Sequence, residues 1–496
     1  MKKFLILIVS ALIFLCLFGC SNNGSELNSK DADLIKHANE TLNLYCCNYE
    51  TLNPIFNNND ANLQMLRLIF ESLVICNESQ KASPELAESY SVSSDCLVWT
   101  VKLKKNIKWH DGSPFTSKDV KLTYEDIMST GNSSVYYENL QNIDYINTNG
   151  DNEINFVLKT PQTNFINLLE IPIVKYHIGE EFKPVGTGPY ILENADKKTI
   201  YLCVNGNWHK EKPNIKNIEV KILPDKETSV YAYDSKEIDI VSISDSSGFG
   251  EYTSNSSNVI LDYPSNRFNF ISFNTENEIL SDIELRKAIA YSINKEKICS
   301  EVLLSHGSVA TSCMNSEWWV YNPKTKHYDY DINNAISIIE KISEEKSLPS
   351  LEIMVNSENS NKIKTAEIIK STLKDCGIDI NIVSVDWDTF LQRVSSGNYQ
   401  MYIGTVLYSA EINPKYVISN PSEKLMKLFN VLQYQTSDNN IKDIYYKIQD
   451  LIAEELQIIP LYFDVNAVMY NKRISGKHSP VNANIYYDIE NLKLKA

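Results

Sequence analysis

Residues 84–127 read PELAESYSVSSDCLVWTVKLKKNIKWHDGSPFTSKDVKLTYEDI, and the organisation of this stretch decides how the chain is built. Within it WTVKLKK carries a β-like pattern on Val98, Val101 and Leu103, and WHDGSPFTSKDV follows with turn chemistry at Asp111 and Gly112. Thr116 or Ser117 then caps a helix that runs through Ile127. Upstream, LNLYCCNYETLNP (42–54) reads as a strand with an exit turn, because Pro54 cannot continue pairing. Between Asn62 and Val74 the apolar residues Leu63, Leu66, Ile69, Phe70 and Leu73 fall on one helical face. Downstream, 154–158 and 215–223 are strand-like, and GTGPYIL (186–192) leads through glycines into a further strand. Helical periods return at 283–298, 362–376 and 441–456. Gly377 stands where a left-handed cap belongs and IDINIVSV follows as a strand, so the pattern is one of α/β layers with mixed sheets.

The chain has 496 residues, 43% hydrophobic and 22% charged, a globular composition. At roughly 100 to 200 residues per domain this length gives about two to four domains. A small disulfide scaffold, a collagen-like fibre and a wholly disordered chain are excluded. Against 47 basic residues stand 63 acidic ones, a net charge of −16 that becomes −18 once the first nineteen residues, with Lys2 and Lys3, are removed. Such a surface repels phosphate backbones, which speaks against nucleic acid as a partner, and it discourages adhesion to anionic lipid.

Membrane attachment therefore calls for a specific anchor. Lys2 and Lys3 precede an apolar run from Phe4 to Phe18, the form of a secretion signal over 1–19. A span needs about 20 apolar residues, and this run is shorter and is followed at once by SNNGSELNSKDAD. Leu17, Phe18, Gly19 and Cys20 resemble a bacterial lipobox, which implies lipidation of Cys20 and a flexible tether over 20–33. Eight further cysteines show no CxxC spacing, so a zinc site is not expected. Buried free thiols are the favoured reading, with Cys76 to Cys96 the nearest conceivable disulfide.

Catalytic signatures are missing. His110 and Asp111 are adjacent and sit in a turn, where they cannot act as a base with its orienting carboxylate. The seven histidines contain no HExxH or HxH, and neither GxSxG nor a Walker A loop is present. GTGPY lacks the third glycine of a dinucleotide fingerprint. The sequence reads as a binder without cofactor or metal, not as an enzyme.

Taken in order, LNP (52–54), FESLV (70–74), the 84–127 stretch, GTGPYIL, KEIDI (236–240), FNTENEILSDIELRKAIAYSINKEKI (273–298) and IIPLYF (458–463) resemble the family 5 extracellular solute-binding proteins of peptide and nickel ABC importers. YFDVNAVMYNKRISG and NIYYDIENLKL near the C-terminus are similar to the oligopeptide branch. The resemblance implies a periplasmic-binding-protein-like type II fold of two lobes with an additional inserted domain. Domain I would use 34–57, 187–275 and 466–496, domain II 58–186 and domain III 276–465, with hinge crossings near Asn274 and Asp464. Two lobes that close on a solute can bury most of it.

In the oligopeptide branch an Asp four residues before a proline in domain III meets the peptide's amino terminus. Here LYSAEINP places Ala410 at that position, and Glu411 substitutes if the loop extends; otherwise it is a solvated loop carboxylate. Asn58 and Asp60 resemble the family's cleft edge, and Tyr408 lies beside the strand a peptide would pair with. Trp387 matches an aromatic that walls a side-chain pocket, or is a core aromatic ahead of a helix at Phe390 to Val394. The expected function is capture of peptides by a monomeric, lipid-anchored receptor on the extracytoplasmic face of a bacterial membrane, for delivery to an ABC permease. The alternative is the same fold holding a nickel chelate, a sugar or another small solute.

Overall fold

The structure is a computed structural model and describes residues 40–176, 181–243, 257–345 and 347–495. The expected signal, the tether and Cys20 lie outside them.

Three sheets organise the chain. Thr41–Cys47 runs parallel to Asn217–Leu223, and Thr199–Val204 and Tyr190–Ala195 extend this sheet antiparallel. A second four-stranded sheet is wholly antiparallel, in the order Ala87–Val92, Val98–Leu103, Glu153–Leu158, Ile143–Thr148. Helix Ser117–Thr130 packs on it, burying Val120, Tyr124 and Ile127 one turn apart. Its start follows from the sequence: the Asp119 carboxylate accepts from the Thr116 backbone N–H at 2.7 Å and from the Thr116 hydroxyl at 2.9 Å.

The third sheet has seven strands and carries the architecture. Two long strands, Asn258–Phe273 and Ile458–Asn471, pair antiparallel along its middle, with a register break between Pro264 and Phe268. The core changes at that break. Tyr263 and Val468 pack with the two four-stranded sheets, whereas Ile271 and Phe273 pack with the helices after 280, and Phe268, Phe270 and Phe463 with a third cluster. Asp464 lies at this break, and on the other strand the change falls before Asn274. Two antiparallel strands thus pass between bodies of hydrophobic core, an arrangement suited to bending.

Helix Ser360–Asp375 ends at Gly377, whose φ of 83° is the left-handed cap expected, and Ile380–Val385 then returns parallel to Leu351–Asn356. The period at 441–456 is helix Asp438–Glu455. Two expectations are corrected. The period at 283–298 is two helices, Ile283–Ser292 and Lys295–Val302, because the Asn294 side chain accepts from Lys297 N–H at 2.8 Å and starts a new helix. The apolar run at 62–74 is helical only over Asp60–Leu66. Beyond it the Leu68 and Ile69 carbonyls accept from Tyr190 N–H at 3.0 Å and Gly188 N–H at 2.9 Å, so the chain is a fully buried passage.

This passage explains GTGPY. A Cβ on Gly186 would stand 1.8 Å from the Ile69 carbonyl oxygen. The His110 ring fills the same corner, Nδ1 accepting from Gly186 N–H at 3.2 Å and Nε2 donating to Gly188 O at 3.0 Å. Asp111 and Gly112 form the expected turn, closed by Gly112 N–H to Trp109 O at 2.9 Å. All eight described cysteines are free thiols, and all but Cys203 are buried. Cys76 faces Asn167 O and Cys96 faces Gln435 O, so the conceivable disulfide between them is absent.

Candidate functional site

A cleft of about 520 Å³ opens beside the crossing of the two long strands. Its volume lies in the roughly 300 to 1,000 Å³ range of small-ligand sites. Alternation on the strands presents Arg267 and Asn269 on one and Tyr462 and Asp464 on the other to the same face, with Thr405 paired to Asn269 from the strand on its other side, Met401–Leu407. The floor is a connected polar row. Thr405 Oγ1 donates to Asn269 Oδ1 at 2.6 Å, Asn269 Nδ2 donates to Asp464 Oδ1 at 3.2 Å, and Arg267 Nε lies 3.8 Å from Asp464 Oδ2.

The opposite wall is the turn from Asn356 into helix Ser360–Asp375. Asn359 caps the helix, its side chain accepting from Lys362 N–H at 3.0 Å. Lys362 is 6% exposed and lines the cleft. Among the described residues its ammonium has no hydrogen-bond or ion-pair partner, and it lies 5.9 Å from the Phe390 ring centroid. Burial pushes its pKa down to about 8, against the pull of Asp464 and with the push of Arg267. It also occupies the first turn of a helix, where the dipole disfavours a cation. Trp387 opens helix Trp387–Ser395, stacked on Phe390 at 5.7 Å and 8°, and is 45% exposed.

Of the residues expected from sequence, Trp387 lines this cleft and the others do not. Tyr408 is a core residue: its hydroxyl donates to Cys313 O at 2.8 Å and its ring packs edge-on to Trp318 at 5.1 Å. Asn58 and Asp60 are exposed at the start of helix Asp60–Leu66. Glu411 lines a separate groove of about 690 Å³ with Gln162, Asn430 and Tyr434. Burial raises its pKa, opposed by a hydrogen bond from Gln162. Glu411 is absent from the lining of the cleft, and Ile412 after it takes a left-handed φ of 54°. Arg267, Asn269, Lys362 and Asp464 were not singled out from sequence. A lysine in the first turn of a helix was the one available signal, and lysines are too common on helices to make it decisive.

Amides span the bodies near this loop. Asn167 Nδ2 donates to Ala410 O at 2.8 Å and to Gln80 O at 3.1 Å, and Asn164 Nδ2 donates to Glu411 O at 3.0 Å and to the Tyr445 hydroxyl at 2.9 Å. Asn266 Nδ2 reaches Gln80 Oε1 at 3.0 Å, Lys81 pairs with Asp438, and the Thr163 hydroxyl donates to Leu432 O. Among the described residues no group of three or more His, Cys, Asp or Glu is placed to hold a metal, and no helix is long and apolar enough to cross a membrane.

The chain is 23% identical to the dipeptide-binding protein of Escherichia coli K12, covering 78% of this chain and 79% of that one. It is 23% identical to the oligopeptide-binding protein AppA of Bacillus subtilis 168, covering 97% of each. Among solved structures, the periplasmic murein tripeptide-binding protein MppA in its unliganded open form superposes with a TM-score of 0.80 at 17% identity, covering 92% of this chain and 97% of that one. The model described as "Bacterial extracellular solute-binding proteins, family 5 Middle" matches residues 81–421, and the chain belongs to that family of solute-binding proteins.

Proposed function

We propose that this chain is the receptor of an ABC importer, capturing peptides in the cleft beside the strand crossing and presenting the closed form to a membrane permease. The observation that carries the reading is the cleft itself, where an exposed Trp387 face and an unmatched Lys362 ammonium line a ligand-sized volume at the point where the chain passes between bodies of core. An aromatic face gives side-chain contact at low entropic cost, and charged and amide groups orient a polar backbone. The names of the relatives, dipeptide- and oligopeptide-binding, support the same solute class.

We place the hinge at Pro264–Phe268 and Asp464, which shortens the middle segment of domain I from 187–275 to about 187–267 and starts domain III there instead of at 276; 34–57 and 466–496 stay in domain I and 58–186 in domain II. Removal of 1–19 and lipidation of Cys20 would hold a monomer at the outer face of the cell membrane. Replacing Cys20 by Ser then releases the protein or leaves uncleaved precursor; unchanged mature mass and detergent partitioning would refute the anchor.

The function is tested by thermal melting with peptide mixtures, nickel and monosaccharides, together with native mass spectrometry of the purified protein. A ligand bound only by the native form stabilises by RT ln(1 + [L]/Kd), about 2.7 kcal/mol at 100-fold excess over Kd. Peptides should raise the melting temperature and co-purify. A shift with nickel or a sugar and none with peptides would transfer the fold to the alternative solute class.

A further inference from the structure

Resting on the cleft reading above, the charges lining that cleft say which end of a ligand it reads. Recognition of an ammonium needs a carboxylate free to face it. Ala410 has none, and its carbonyl is already taken by Asn167 from across the seam. Glu411 faces another groove, Glu358 is solvent-exposed at the rim, and Asp464 is bonded to Asn269 and close to Arg267.

Cationic groups are in the opposite position. Lys362 is more than nine-tenths buried, lines the cleft, and among the described residues has neither hydrogen bond nor ion pair. An ammonium desolvated without a counter-charge is unfavourable in any folded protein, and more so at the positive end of a helix dipole. Arg267 stands across the floor with Nε turned to Asp464, and its planar fork suits a carboxylate.

We propose that the cleft selects its ligand through an anionic carboxylate seated between Lys362 and Arg267 at the first turn of helix Ser360–Asp375, and makes no demand on a free amino group. A carboxylate there gives Lys362 the partner it lacks, and the helix terminus adds to the attraction. Acidic or amino-blocked peptides are then ligands as good as free-amine ones.

The full chain is tested with a tryptic digest of casein in three forms: untreated, with amines acetylated, and with carboxyl groups converted to methyl esters. Melting shifts are read alongside mass spectrometry of the retained peptides. Untreated and acetylated digests should behave alike, while esterification raises the concentration for half-maximal shift at least about tenfold, equivalent to about 1.4 kcal/mol. Lys362→Met should fold, as its own melting curve will show, and lose the difference between acid and ester. Equal binding of esterified and untreated peptides, or loss of binding on acetylation, would overturn the proposal and leave the peptide reading standing. If no digest is retained, the peptide reading fails. Succinate, glutarate and citrate then probe the same site, and absence of a Lys362-dependent shift with them overturns the anion site too.

Discussion

Lys362→Met should make the unliganded protein more stable. A lysine whose pKa falls from its ordinary 10.5 to about 8 is destabilised in its charged form by about 3 kcal/mol relative to the unfolded chain. Below pH 8 the residue is protonated in both states, so the penalty is full and independent of pH. Between about 8 and 10.5 the unfolded chain binds more protons than the native one, and stability rises with pH. The groups facing the ammonium are Asp464, Arg267, Glu358 and Tyr462, and none of these is altered by the substitution. Methionine keeps the length of the stem and its contact with Phe390. The expected gain at pH 7 is about 2 to 3 kcal/mol, or roughly 5 to 10 °C in the melting temperature of a domain of this size. Most of the gap should close by pH 10. Lys295, also pushed down to about 8 by burial, titrates in the same window but cancels in the difference between the two proteins. Calorimetry of wild type and Lys362→Met at pH 7 and pH 10 decides it. A variant no more stable at pH 7, or a gap that persists at pH 10, would refute the reasoning. A gain in stability joined to a loss of binding is the signature of a residue kept for function.

Other substitutions separate the cleft from its surroundings. Glu411→Gln should leave peptide binding within about twofold, since Glu411 lies in another groove. Its carboxyl is raised by burial, so the native state holds its proton longer as pH rises, and the amide should be neutral or slightly stabilising at pH 7; a large loss of affinity in calorimetric titration would return Glu411 to the binding site. Glu71→Gln should cost about 3 to 5 kcal/mol by denaturant unfolding, because the buried Glu71 carboxylate accepts from Trp208 Nε1 at 3.2 Å and His209 Nε2 at 3.0 Å, and pairs with Lys210 at 3.4 Å. Burial acts to raise the Glu71 pKa, but the His209 hydrogen bond and the Lys210 charge outweigh it and hold it low, so this stabilisation is present at neutral pH and lost as pH falls below the ordinary carboxylate range. An unaltered midpoint at pH 7 would contradict that account. Gly186→Ala should lose at least about 3 kcal/mol or fail to accumulate as folded protein, since its Cβ would meet the Ile69 carbonyl oxygen; a normal melting temperature would show that the corner can relax.

What could be read from the chain alone was whatever is settled within a few residues. The cap at Thr116 and the left-handed residue at Gly377 are local devices, and the structure uses both as expected. The order of blocks from LNP to IIPLYF resembles that of the family 5 solute-binding proteins, and the two-lobed fold was expected through that resemblance and not through any one block. The apolar run at 62–74 misled because a segment buried all round shows the same helical spacing whether or not its carbonyls bond within a helix; here they bond to Gly188 and Tyr190. Likewise a helix period cannot register that Asn294 ends one helix and starts the next.

The site belonged to the tertiary structure. Arg267, Lys362 and Asp464 come from segments about a hundred residues apart, and nothing local distinguishes Lys362 from any other lysine behind an N-cap. Its character comes from desolvation and from the distances to Asp464 and Arg267, and both exist only once the long strands have paired. Glu411 and Tyr408 show the reverse. Their neighbours in sequence suggested a cleft, but Glu411 lines another groove and the Tyr408 hydroxyl donates to the Cys313 carbonyl in the core. Residue type and spacing thus settle where elements begin and end, whereas the direction in which a side chain points, and the charge it meets there, depend on segments far away in the chain.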